Sequence, residues 1–387
     1  MLGALMDRTT KTLRTRIDPT GANAIATPLF QSAAFRSDSP FFYSRKANPT
    51  VVELERAVAT LEGACEAVAV STGMAAIALA TSLLAPGDRL VVHPLLYGCS
   101  FRQFHRLERQ KGIRVETRDL GVADLALPRD TRMVFLETPT NPFLRTVSIR
   151  RVADAARRAN REALVVVDNT WATPLFQRPL EHGADLSLHS ATKFLSGHSD
   201  VMGGLALTDR ADLAEALREE RFYAGAVIDP HAAWLLRRSL QTLPLRMEAH
   251  ARTTARMAAW LRAQPQIARV DVPEIDGDQL LGYGGILFAE LRADLAERYA
   301  EFAAALTLFD TGTGMASVTS MVAQPWSGSH ASMTAEEKRA IGLSPALVRL
   351  CFGLEKEEDL QADLARAFAA IDASPRARTR TPRRARA

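Results

Sequence analysis

From residue 50 to residue 190 the chain alternates between short, near-continuous apolar runs and longer stretches with helical periodicity. The runs EAVAV, RLVV, RMVFLE, ALVVVD and DLSLHS are strand-length and have no polar face to show solvent. TVVELERAVATLEG precedes the first of them, and MAAIALATSLL, SFRQFHRLERQKG and IRRVADAARRAN lie between them; their apolar residues recur at helical spacing. A strand that is apolar on both faces must be covered on both, and strands joined through helices run parallel. The expected class is therefore α/β, with a mostly parallel sheet between helical layers. Beyond about residue 240 the pattern changes. Residues 230–264 read as a long helix kinked near Pro244, followed by short strands at 268–273 and 284–291 and further helices to about 373. This divides the chain into an irregular arm (1–49), an α/β domain (50–240), a smaller C-terminal α+β domain (241–373) and an arginine-rich tail (374–387).

Composition narrows the function classes. The formal charge of +4 comes from the tail, where SPRARTRTPRRARA carries six arginines and no acid; the remainder has 42 basic against 44 acidic residues. A nearly neutral body with a disordered, solubilising tail is expected, and nucleic-acid binding is not. Cys65, Cys99 and Cys351 are too few and too scattered for a disulfide framework or a zinc site, so no metal is expected. The first residues do not read as a signal peptide, and no run approaches the roughly 20 apolar residues of a membrane span. A cytoplasmic location follows as the expectation.

In an open α/β sheet, ligands sit beyond the carboxyl ends of the strands. ALVVVD ends in Asp168, DLSLHS ends just before Lys193, and the STG turn after EAVAV opens a helix near Gly73. A helix N-terminus with free N–H groups is a phosphate seat, and Ser190 and Thr192 add hydroxyls. An amine, a carboxylate and a phosphate seat on one rim suit pyridoxal phosphate, whose aldehyde takes the lysine and whose ring nitrogen takes the acid. Taken singly, the same residues also read as a solvated lysine at a strand end and an aspartate capping a turn. No G-x-x-x-x-G-K-[ST] occurs, and GTGMAS (312–317) lies too late and in the wrong context for a dinucleotide fingerprint.

The motifs HSATKFLSGHSDVMGG, VVVDNTWATPLFQRPLEHGADL, YSRKANPT, STGMAAI, ETPTNP and RLCFGLEKEEDL stand in collinear order over roughly residues 20–370. Together they resemble the Cys/Met-metabolism (trans-sulfuration) family of fold-type-I pyridoxal-phosphate enzymes. The resemblance implies a homotetramer, a dimer of dimers with active sites shared between subunits, acting on an amino acid. It implies that Lys193 is the Schiff-base lysine and proton shuttle, and that Asp168 pairs with the ring nitrogen. Gly73, Met74, Ser190 and Thr192 would hold the phosphate, completed by Tyr43 and Arg45 from the neighbouring subunit's arm. Tyr97 would stack on the ring and serve as acid/base, and Arg349 would bind the substrate α-carboxylate with help from Asn141 and Ser320. His189, within a strand, is expected to be structural, and Cys99 a packed thiol.

The implied chemistry is γ-replacement or γ-elimination through a vinylglycine-type intermediate, on a homoserine-derived or sulfur-containing amino acid, in a specialised pathway. Departures from the family pattern bear on specificity. Phe222 stands where methionine-specific members carry an aspartate, which argues against plain methionine γ-cleavage. Thr319 replaces a glutamate associated with the distal amino group. VPEIDGDQLLGYGG is a shortened connection, and WSGSH sets Trp326 near the mouth of the site. The alternatives are a β-eliminating C–S lyase on the same scaffold and, more remotely, a non-catalytic interaction protein.

Overall fold

The computed structural model describes residues 6–18, 20–21, 23–312 and 314–373. The arginine-rich tail, with the roles considered for it, lies outside the described residues. Seven strands build the larger sheet: β1 (Glu66–Val70), β2 (Arg89–Val92), β3 (Arg114–Thr117), β4 (Thr131–Glu137), β5 (Leu164–Asp168), β6 (Leu186–Ser190) and β7 (Gly204–Thr208). Their order is β1-β7-β6-β5-β4-β2-β3. The run from β6 to β3 is parallel, and β7 is antiparallel to both neighbours. The chain is thus α/β with the mostly parallel sheet that two-faced apolar strands require.

Covering helices bury both faces. Val68, Val70, Leu90, Val92, Phe135, Val166 and Leu188 pack into one core, while Val91, Val134, Leu136, Val165 and Val167 pack into another. Alternate residues of the same strands go to opposite layers, as the pleat dictates. Two of the helices start where side chains cap them. Asn48 accepts the Thr50 N–H ahead of Pro49–Glu62, and Thr72 accepts the Ala75 N–H ahead of Gly73–Ser82.

The second sheet holds β8 (Ile267–Asp271), β9 (Ile286–Leu291), β10 (Asp310–Thr311), β11 (Met321–Ala323) and β12 (Leu347–Cys351), in the order β10-β11-β12-β9-β8. Residues 230–264 do not form one kinked helix. Pro230–Leu240 and Leu243–Arg262 are separate, and Pro244 lies in the first turn of the second, where its missing N–H costs nothing. Five strands escaped the sequence reading: β10, β11 and β12 fall where only helices are expected, and two belong to the larger sheet. β3 is short and partly exposed, and β7 follows a glycine-rich loop that reads locally as irregular.

The arm carries the helix Arg8–Arg14 and packs over Pro49–Glu62. A buried ion pair fastens it there. Arg237 Nε donates to Glu53 at 3.1 Å, while its Nη2 reaches the carbonyls of Thr12 and Thr15. No helix among the described residues is long and apolar enough to cross a membrane.

Candidate active site

β4, β5 and β6 end on one rim, and their last residues converge with the turn after β1 on a cavity of about 400 Å³. Its lining includes Gly73, Met74, Tyr97, Asn141, Asp168, Ser190, Thr192, Lys193 and Arg349. Nine of the fourteen residues singled out from sequence therefore meet in one place, drawn from both sheets.

The phosphate-sized end is shaped by glycine. A Cβ on Gly73 would lie 2.7 Å from the Ser190 Cβ, so no larger residue fits without displacing β6. The first N–H groups of the helix Gly73–Ser82 lack intrahelical partners, as at any helix start, and here they belong to cavity-lining residues. The Thr192 hydroxyl accepts the Gly203 N–H at 3.0 Å and so braces the loop that follows Lys193.

Lys193 stands in the turn after β6. Burial lowers its basicity first, and the positive Arg349 nearby lowers it further. Both effects favour the neutral, nucleophilic amine. Arg246 fixes the turn from behind: Nη1 donates to the Phe194 carbonyl at 2.7 Å and Nη2 to the Ser239 carbonyl at 2.9 Å. Burial pulls this guanidinium down to about 10.

Asp168 at the tip of β5 pairs in register with Glu137 at the tip of β4. Oδ1 of Asp168 accepts both the backbone N–H of Thr170 at 3.0 Å and its hydroxyl at 2.6 Å. Burial nonetheless raises Asp168, and raises Glu137 well above the usual carboxylate range, with Asp168 adding repulsion to Glu137. Glu137 also accepts the Tyr97 backbone N–H at 2.9 Å and the Trp171 indole N–H. It thereby ties the start of the helix Gly98–Lys111 to the floor of the cavity. Sequence reading gave Glu137 and Trp171 no role, although both fall in quoted motifs. The available signal was Glu137 itself, an acid ending an otherwise apolar strand.

Tyr97 lines the cavity with a phenol pushed up to about 12, chiefly by burial and next by the Cys99 thiol. It is an O–H donor at neutral pH. Asn141 is buried, and its Oδ1 has no hydrogen-bond partner among the described residues. Arg349, also buried on β12, donates Nη2 to the Gly314 carbonyl at 2.9 Å.

Five expected residues stand elsewhere. The Tyr43 ring is part-exposed in the arm, and the Arg45 guanidinium lies 4.1 Å from the centre of the Phe222 ring while bonding its carbonyl. Neither lines the cavity of its own chain. The Ser320 hydroxyl is wholly buried, 2.8 Å from Glu355 and accepting the Gly353 N–H, which holds it off the cavity. Thr319 is exposed beside Asp310. Trp326, expected at the mouth, instead packs against the core with the Lys338 ammonium 4.9 Å from its ring centre. His189 lies within β6, with Nε2 3.0 Å from Glu62. No group of three or more His, Cys, Asp or Glu suited to a metal ion occurs among the described residues.

A family model described as "Cys/Met metabolism PLP-dependent enzyme" matches residues 9–369. The chain belongs to this family. The L-methionine gamma-lyase of Pseudomonas deceptionensis is 38% identical over 348 residues, covering 86% of each chain. The cystathionine beta-lyase of Lactococcus lactis subsp. cremoris (strain MG1363) is 34% identical over 361 residues, covering 89% of this chain and 94% of that protein. Among solved structures, cystathionine gamma synthase from Xanthomonas oryzae pv. oryzae, in complex with aminoacrylate and cysteine, superposes with a TM-score of 0.89 at 36% identity, over 96% of this chain and 100% of that one. The chain is therefore a pyridoxal-phosphate-dependent enzyme of fold type I. Its cavity suits that cofactor: a depressed amine, a carboxyl at the sheet edge and a glycine-shaped cradle at a helix start all face one volume.

Proposed function

We propose that the enzyme catalyses γ-replacement or γ-elimination on a homoserine-derived or sulfur-containing amino acid. The observation that carries this reading is the convergence of Lys193, Tyr97 and Arg349 on one cavity with Asp168. Arg349 and Asn141 bind the α-carboxylate and so set the substrate Cα against Lys193. When bound, pyridoxal phosphate acts as the sink for the electrons of the broken Cα–H bond. Asp168 holds a proton on the ring nitrogen. Gly73 and Met74 bind the phosphate through backbone N–H groups, with Ser190 and Thr192 adding hydroxyls.

Released from its own covalent partner, Lys193 is the base whose Nζ takes protons from Cα and then Cβ. Tyr97 enters as a donor, protonated at neutral pH, able to give its proton to a departing group at Cγ. Loss of HX from Cβ–Cγ, followed by water, yields a 2-oxo acid and ammonia. Addition of a thiol at Cγ instead yields a new thioether.

Tyr43 and Arg45 complete the phosphate site from a second copy of the chain. In support, Arg45 lies outside its own chain's cavity, and Ile25, Phe42 and Tyr223 leave large apolar side chains exposed on and near the arm. The homotetramer implied by the resemblance accommodates this sharing.

A second reading, β-elimination, is favoured by relatives named cystathionine beta-lyase at comparable identity. The test is to supply the purified holoenzyme with O-acetylhomoserine, O-succinylhomoserine, methionine and cystathionine, each with and without an added thiol such as cysteine. The γ-reading expects 2-oxobutanoate or a new thioether. Pyruvate from cystathionine would favour β-elimination, and no turnover of any of the four would remove the substrate assignment.

A further inference from the structure

A second cavity, of about 560 Å³, shares no lining residue with the active site. That volume suits a small organic ligand. The cavity lies between the connection that follows β4 and the edge strand β8, bordered by the end of the helix Leu243–Arg262. Three guanidinium groups line it, those of Arg145, Arg262 and Arg269, beside an apolar wall of Phe143, Val270, Val272 and Ile341. Among the described residues no lysine, histidine or cysteine lines it, and the Thr146 hydroxyl is spent on the Glu274 carbonyl at 2.8 Å. Such a lining can hold a ligand but offers it no nucleophile.

The arginines are only partly paired. Arg269 places Nε 2.9 Å from Asp271 and Nη2 3.2 Å from Glu290. Arg145 and Arg262 form no ion pair among the described residues, and Glu274 is the one lining acid that forms none. Unpaired cations therefore outnumber unpaired anions. Burial raises the Asp271 carboxyl while the charges of Arg269 and Arg145 lower it, so both guanidinium groups act on the same wall. The Phe143 ring aligns these two, with the Arg145 and Arg269 Cζ atoms 5.6 Å and 5.7 Å from its centre.

The turn that presents Phe143 and Arg145 is strained. Phe143 and Leu144 stand at φ of 73° and 54°, in the left-handed region that non-glycine residues seldom adopt. Thr140 keeps them there: its carbonyl accepts the Leu144 N–H and its hydroxyl the Arg145 N–H, both at 3.0 Å. Backbone strain that a dedicated residue maintains is a feature of ligand clamps.

We propose that this cavity binds a small organic phosphate, separately from the cofactor. A carboxylate has two oxygens and fills one guanidinium fork, whereas a phosphate monoester has three terminal oxygens and bridges Arg145 and Arg262. The apolar wall receives the ligand's carbon body.

The test uses the holoenzyme, whose active site the cofactor already occupies, and phenyl phosphate as the probe. Calorimetry is expected to show saturable binding, one probe per chain, with the cofactor absorbance unchanged. Arg145→Gln combined with Arg262→Gln is expected to weaken that binding about tenfold or more. Arg109→Gln combined with Lys111→Gln removes two exposed charges at the end of the helix Gly98–Lys111 and is expected to leave it unchanged. Inorganic phosphate, which lacks the carbon body, is expected to bind about tenfold more weakly than phenyl phosphate. A retained cofactor band shows that each variant is folded. The inference is overturned if the wild type shows no saturable binding, if the two probes bind equally, or if the folded Arg145 and Arg262 double variant binds as the wild type does. Equal weakening in both double variants would also overturn it, because binding would then follow net charge and not this cavity.

Discussion

Glu137 and Asp168 face each other across adjacent parallel strands, two carboxyls in register at the rim where the cavity opens. Glu137 is buried and Asp168 repels its charge, so double ionisation is disfavoured and a cation beside the pair would relieve it. A protonated ring nitrogen is such a cation.

One prediction concerns the apo-protein. The Glu137 carboxyl is raised above its ordinary value on folding, chiefly by burial. Its stabilising effect is therefore full below the unfolded pKa and is lost as pH rises through the folded one. A tenfold change in proton affinity between the two states is worth about 1.4 kcal/mol. Melting curves of apo wild type and Glu137→Gln from pH 4 to pH 8 should show wild type losing ground to the variant as pH rises. Parallel curves would contradict this.

His250 and His330 predict the opposite slope. Both are buried and pulled down to about 4, chiefly by burial. Their contribution is present above the ordinary histidine value and is lost as pH falls from about 6.5 towards 4, by about 3 kcal/mol each at most. Denaturant midpoints across that window should fall steeply in wild type and less steeply in His330→Gln.

Arg246 should matter to the cofactor without touching it. It bonds the carbonyl of Phe194, the residue after Lys193. Removing a buried charged donor from its carbonyls costs about 3 kcal/mol. Arg246→Ala is expected to lower the denaturant midpoint and to release pyridoxal phosphate during dialysis faster than wild type does. A destabilised variant that retains the cofactor normally would limit Arg246 to a purely structural part.

If Arg45 serves a second copy's phosphate, two inactive variants should rescue each other. Arg45→Ala and Lys193→Ala are each expected to lose at least about 10²-fold in kcat/KM. Co-refolded mixtures should regain activity, because some sites combine an intact Lys193 with an intact Arg45. Mixtures no more active than their parents would mean that sites are built within one chain.

Much of this site was legible because its residues end strands. Asp168 and Lys193 stand where apolar runs stop, and the rule that ligands collect beyond strand carboxyl ends needs no long-range information. Gly73 was legible as the opening of a helix. What escaped depends on contacts distant in sequence. Nothing local places Gly328–Ser332 against the start of the helix Gly98–Lys111, since Arg102 and His330 make that contact across more than two hundred residues. Trp326 and Ser320 were drawn towards the site by motif position; neither lines the cavity, Trp326 having the Lys338 ammonium near its ring and Ser320 bonding Glu355. β7 went unread because a five-residue strand after a glycine pair carries little periodicity, and its place between β1 and β6 is set by the sheet.

The covalent bond between Lys193 and pyridoxal phosphate underlies every role proposed for the site. The purified protein should show a visible absorbance band that borohydride bleaches, and peptide mapping should then place the reduced adduct on Lys193. The Lys193→Ala variant, folded by circular dichroism, should lack both the band and the adduct. An adduct on another lysine, or full turnover in Lys193→Ala, would contradict the account.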